Sequence, residues 1–140
     1  MKWYFASRMR HKANIAAISE FLKKNGQTVT SEWAHNGSLK PYEQNIPDCQ
    51  LLSKEIVRSL LDTDIFVLIS DPEGTDMFIE LGVCLAKSTL SQNITIYIVG
   101  KHAKRSLMHL HPSIVHAVDM QEVFEREKIA YQGFDIPDFN

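Results

Sequence analysis

The run Ile65-Phe66-Val67-Leu68-Ile69 has no polar position on either face of its pleat. Successive side chains of a strand point to opposite faces, so such a run is stable only where both faces are covered. Strands of that kind belong to parallel sheets, whose neighbours need crossover connections, normally helical. The rest of the chain supplies them. Trp3 to Ala6 is a first strand, and Ile15, Ile18, Phe21 and Leu22 recur at helical spacing over Lys12 to Lys24 before Asn25-Gly26 supplies a stop. Gln27 to Trp33, with Val29 among threonines, is expected as a second strand. A connection from Ala34 to Asp48 precedes a helical stripe of Leu52, Ile56 and Leu60. After the central run, Met77, Phe78, Leu81, Cys84 and Leu85 mark a third helix. Ile94 to Val99, closed by Gly100, is a fourth strand and Val115 to Val118 a fifth, followed by a helix from about Gln121 to Ala130. The tail from Tyr131 is expected to be irregular.

This alternation predicts an α/β fold, a flavodoxin/Rossmann-like three-layer sandwich with a five-stranded parallel sheet, spanning 1–140 as a single domain. In such sheets ligands bind beyond the carboxyl ends of the strands, at the switch point. The rule selects Ser7 to Lys12, Trp33 onward, and Ser70 to Asp76 before any chemistry is considered. Composition narrows the partners. A net charge of −2 is far from the basic balance expected of a nucleic-acid-polymer binder. No apolar run approaches the roughly 20 residues that cross a bilayer, so no membrane partner is expected. No signal-peptide core follows Met1, and Cys49 and Cys84 form no CxxC pair, so the expected compartment is the reducing cytoplasm.

Chemistry concentrates in Ser70 to Gly82. On an ideal helix Glu80 falls about 40° from Cys84, at the border of the buried stripe, where a carboxylate is partly desolvated. Asp76 lies one turn earlier on the same flank, at the positive end of the helix. Between the first strand and helix, Ser7, Arg8 and Arg10 stand where backbone amides and guanidinium groups favour a phosphate, although the stretch is neither GxGxxG nor a P-loop. A solvated charged loop accounts for the same residues. Tyr4 and Trp33, at strand ends, are candidates to line a base or sugar pocket. His102, His109, His111 and His116 match no metal-ligand spacing, so neither a metal nor a cofactor is expected. Cys84 lies inside the apolar stripe, as a small core residue does.

Asp64 to Ile69 followed by Gly74-Thr75-Asp76-Met77-Phe78-Ile79-Glu80-Leu81-Gly82-Val83-Cys84-Leu85-Ala86 resembles the signature of the nucleoside 2-deoxyribosyltransferase-like family, which includes 2′-deoxynucleoside 5′-monophosphate N-glycosidases. Tyr4-Phe5-Ala6-Ser7-Arg8 and the His111-Pro112 segment are similar to further parts of the family framework. The resemblance implies that Glu80 is the nucleophile; Asp76, on the same flank of the helix, is the candidate for a second catalytic residue that supplies the acid. It also implies a 5′-phosphate role for Ser7, Arg8 and Arg10; with Tyr4, Trp33, Asp71, Gly74 and Thr75 they make up the candidate substrate-binding residues. The implied reaction is cleavage of the N-glycosidic bond of a 2′-deoxynucleoside or its 5′-monophosphate, by hydrolysis or base transfer. The implied partners are a small-molecule nucleoside or nucleotide and a second copy of the chain, in a homodimer or larger assembly. Two departures stand out. Where relatives commonly carry an aspartate on the preceding helix, this chain has Glu55 and Ile56; where they often have glycine before Met77, it has Asp76. Two other readings share the fold: a TIR-like NAD-cleaving domain, and a catalytically silent nucleotide-binding module.

Overall fold

A computed structural model describes residues 1–31, 33 and 37–139. Five strands form one all-parallel sheet in the order β2-β1-β3-β4-β5: β1 (Lys2–Ala6), β2 (Thr28–Val29), β3 (Ile65–Ile69), β4 (Thr95–Val99) and β5 (Ile114–Ala117). Four helices cover it: α1 (Lys12–Lys24), α2 (Ile46–Leu61), α3 (Asp76–Ser91) and α4 (Met120–Arg126). This is the three-layer α/β sandwich that the uninterrupted apolar run demands.

The pleat sorts the strand residues between two cores. Trp3 and Phe5 of β1, Ile65, Val67 and Ile69 of β3, and Tyr97 and Val99 of β4 pack with Ile15, Ile18 and Leu22 of α1 and with Val123 and Phe124 of α4. Their neighbours Tyr4, Ala6, Phe66, Leu68, Ile96 and Ile98 face the other way, toward Leu60 of α2 and Met77, Leu81, Cys84 and Leu85 of α3. Every residue of β3 is buried, as a strand covered on both faces must be. In this order the chain leaves β1 toward β2 on one side and toward β3 on the other, so the switch point lies at the carboxyl ends of β1 and β3.

The structure corrects several expected boundaries, among them the starts of β1, at Lys2 rather than Trp3, and of β4, at Thr95 rather than Ile94. β2 pairs only over Thr28–Val29, not from Gln27 to Trp33, because a side chain then replaces the ladder: the Phe5 amide donates to Ser31 Oγ at 2.9 Å. Glu32, within that expected strand, and Ala34 to Asn36, within the expected connection, lie outside the described residues. α2 begins at Ile46 rather than after Asp48, since Pro47 is tolerated in a first turn, where its missing N–H has no partner to lose. β5 sits one residue earlier than expected. α4 stops at Arg126 rather than Ala130, because Lys128 takes a positive φ of 59° and the Ile129 amide bonds back to Phe124. Among the described residues, no helix is long and apolar enough to cross a membrane.

Candidate active site

At the switch point two loops face each other. The first leaves β1 through Ser7 and Arg8 and tightens into a 3-10 turn, Met9–His11, that runs directly into α1. The second leaves β3 through Ser70 and Asp71 and enters α3 at Asp76. Ser7, Arg8 and Met9 line one side of a cleft of about 100 Å³, and Gly74, Thr75, Asp76 and Met77 the other. A larger depression of about 390 Å³ lies between the 37–39 segment and α2, lined by Asp48, Leu51 and Glu55 among others. It holds Glu55 but none of the catalytic or substrate-binding candidates, whereas the small cleft holds five of them.

Asp71 organises the two loops. It is 1% exposed, and its Oδ1 accepts the Glu73 amide at 3.0 Å while Oδ2 pairs with Arg10 Nη2. His11 Nε2 lies 3.7 Å from the same Oδ2. Burial alone would raise the Asp71 carboxyl, but the Glu73 amide and the Arg10 and Arg8 guanidinium groups outweigh it and hold the group below the usual carboxylate range. From the loop after β4, Arg105 Nη1 donates to the Asp71 carbonyl at 3.3 Å. Arg8 spans the cleft mouth to Glu73 at 3.0 Å, an exposed pair of the kind worth about 0–1 kcal/mol and readily exchanged for another anion.

Glu80 sits one turn below Asp76 on α3, half-buried by its whole side chain but with its carboxylate turned inward. The Tyr4 hydroxyl donates to it, while Oε2 is sealed from solvent with no hydrogen-bond partner. Burial pushes Glu80 up to about 7; the Tyr4 hydrogen bond opposes the rise and the Asp76 charge adds to it. Tyr4, 1% exposed, has its phenol raised by burial and then by the Glu80 charge, so it stays a proton donor at every ordinary pH. Cys84, the next turn down, is pushed up to about 12 by burial and by Glu80, which leaves an inert thiol. The arrangement offers a carboxylate with one oxygen positioned by Tyr4 and the other uncommitted.

The sequence-derived residues divide by place. Tyr4, Asp76 and Glu80 converge on the α3 side, and Ser7, Arg8, Gly74 and Thr75 line the cleft above them. Arg10 and Asp71 pair beside that cleft. Trp33 lies elsewhere: its indole N–H donates to the Phe5 carbonyl at 2.6 Å and its ring packs on the α1–α4 core, across the sheet from Tyr4. Sequence reasoning missed Arg105, and it missed Tyr42, whose phenol is raised by burial and by the nearby Asp76 charge. Nothing local in the polar stretch around Tyr42 marks it, because its approach to Asp76 depends on how the loop before α2 returns over α3. Among the described residues, no three His, Cys, Asp or Glu side chains gather as a metal site requires.

The fold is similar to that of the CMP N-glycosidase BcmB of Clostridium botulinum, with a TM-score of 0.59 at 15% identity over 93% of this chain and 100% of that one. At this identity the likeness establishes a shared fold. No protein-family profile matches the chain. No curated protein matches it either.

Proposed function

We propose that this protein cleaves the N-glycosidic bond of a 2′-deoxynucleoside or its 5′-monophosphate, with Glu80 as nucleophile. The observation that carries the reading is the Glu80 carboxylate: desolvated, held by the Tyr4 hydroxyl, with an uncommitted Oε2, one helical turn from Asp76 at the switch-point cleft. Breaking such a bond develops oxocarbenium character at the anomeric carbon, and an adjacent carboxylate stabilises that charge or captures it. A carboxylate oxygen forms the new bond to C1′ as the C1′–N bond breaks, and its electrons leave with the base. Asp76 is assigned the proton that the departing ring nitrogen requires. Water resolving the intermediate gives hydrolysis, and a second base gives transfer. Ser7, Arg8 and Arg10 are assigned the 5′-phosphate, with the backbone at Gly74 and Thr75 beside them. The fold likeness to a CMP N-glycosidase supports the class of bond. We also propose that the working form is a homodimer and that it acts in the cytoplasm.

The test is base release. The protein is incubated with deoxynucleosides, their 5′-monophosphates and cytidine 5′-monophosphate, with NAD as a separate arm. Free base that appears with a nucleotide and disappears with Glu80→Gln is the expected result. Nicotinamide release alone would transfer the site to the NAD-cleaving reading. Stabilisation by nucleotides without any product would leave a binding module.

A further inference from the structure

The segment 131–139 has no regular structure, yet Tyr131, Phe134, Ile136 and Phe139 all pack on the α1–α4 core. It starts at α4, where the Tyr131 hydroxyl donates to Glu125 at 2.8 Å. It then stacks Phe134 on Phe21 of α1, with ring centroids 4.1 Å apart and planes within 2°. It ends back at the first turn of α1, where Asn14 Nδ2 donates to the Asp138 carbonyl at 3.4 Å. Phe139 then sets its ring edgewise on the His11 imidazole, centroids 5.2 Å apart at 74°. A strap from the far end of the chain therefore closes over the β1–α1 loop.

His11 is 9% exposed and touches the residue that matters there. Arg10 Nε donates to His11 Nε2 at 3.4 Å, and Arg10 Nη2 bonds Asp71. Two directional hydrogen bonds, from Nε and Nη2, restrain the orientation of a planar guanidinium, which has five N–H donors in a rigid fork. The Arg10 side chain is nevertheless 62% exposed, so its remaining N–H groups face solvent. Accepting from Arg10 requires a neutral imidazole, and burial together with the Arg10 charge lowers His11 in that direction.

We propose that Phe139 is a positioning residue for anion binding: by sealing the outer side of His11 it holds the Arg10 guanidinium in one orientation, its free N–H groups presented to a ligand phosphate. This rests on the reading of the β1–α1 loop as a phosphate site. Without the ring, His11 turns and hydrates, and Arg10 pivots about Asp71 alone. Ordering it again on binding opposes association by an amount equivalent to about 3–10-fold in affinity.

The experiment is an NMR titration of the full chain with 2-deoxyribose 5-phosphate and with unphosphorylated 2-deoxyribose. Phe139→Ala is expected to weaken the phosphorylated sugar about 3–10-fold and leave the other unchanged, and Phe139→Tyr is expected to restore binding within about twofold. Under turnover the same loss appears in KM for the monophosphate with kcat unchanged. Arg10→Ala is the reference. If it leaves phosphate binding intact, or the parent protein shows no phosphate-dependent shift, the phosphate reading fails and this inference with it. If Arg10→Ala weakens binding but Phe139→Ala does not, the inference alone is overturned. Equal weakening of both sugars by Phe139→Ala overturns it as well.

Discussion

An ionised Glu80 is costly in this fold, and the cost has a sign that pH can read. Its carboxyl lies at about 7 in the folded chain against an ordinary 4.5, so between those values the folded state binds more protons than the unfolded one. The penalty is therefore absent below about pH 4.5, grows as pH rises through the window, and is complete above about 7. Allowing for the half-exposed stem, Glu80→Gln is expected to stabilise the protein by about 1–2 kcal/mol at pH 8 and by nothing at pH 4. Urea unfolding at the two pH values checks this, and base release by the same variant should fall at least about 100-fold. A nucleophile must be ionised, so kcat/KM is expected to rise with an apparent pKa near 7. Tyr4→Phe removes the hydrogen bond that opposes the rise, and the acid limb of that profile should move to higher pH. The border position of Glu80 was legible in the sequence, since helical angle alone puts it beside Cys84. Its partner was not, because Tyr4 is placed by strand register and its hydroxyl meets α3 only once the sheet is covered.

Among the elements, the turn into α3 sets the geometry of everything below it. Gly74 has φ +140°, a conformation that side chains rarely adopt, and an added Cβ would stand 2.5 Å from Met77 Cε. Met77 is flexible enough to yield, so the backbone carries most of the penalty. Gly74→Ala is expected to destabilise by about 1–3 kcal/mol in denaturant unfolding and to reduce activity further than the lost stability explains, because Asp76 and Glu80 move with the helix start. The Gly-Thr pair at this turn was visible in the sequence. So were α1 and β3, whose observed limits, Lys12–Lys24 and Ile65–Ile69, follow the apolar pattern because burial decides both. β2 and α4 were overread for one reason. Apolar pattern reports what packs against the core, and Ile129 and Trp33 do pack there, but from positions outside α4 and β2, held by specific hydrogen bonds.

On the scale of the whole molecule, α2 is the element whose packing is incomplete. Of its sixteen residues only Leu60 is buried, while Ile46, Leu51, Val57 and Leu61 are between 43% and 60% exposed. A helix of this length is about 24 Å long, and a strip about 10 Å wide along it is well short of the roughly 800 Å² per partner of an ordinary interface. The adjoining α3 extends the face with Ile79 and Leu90, 68% and 87% exposed. Two α2 helices running antiparallel across a two-fold axis would set Ile46 against Leu61 of the second copy, with Val57 beside them. Sedimentation is therefore expected to give twice the 16.0 kDa chain mass. Leu61→Asp is expected to return it to the monomer by burying a charge in the seam. Monomer at every concentration, or a Leu61→Asp variant that still associates, would remove α2 from the interface. Loss of base release in parallel with dissociation would mean that the second copy completes the cleft beside Glu80.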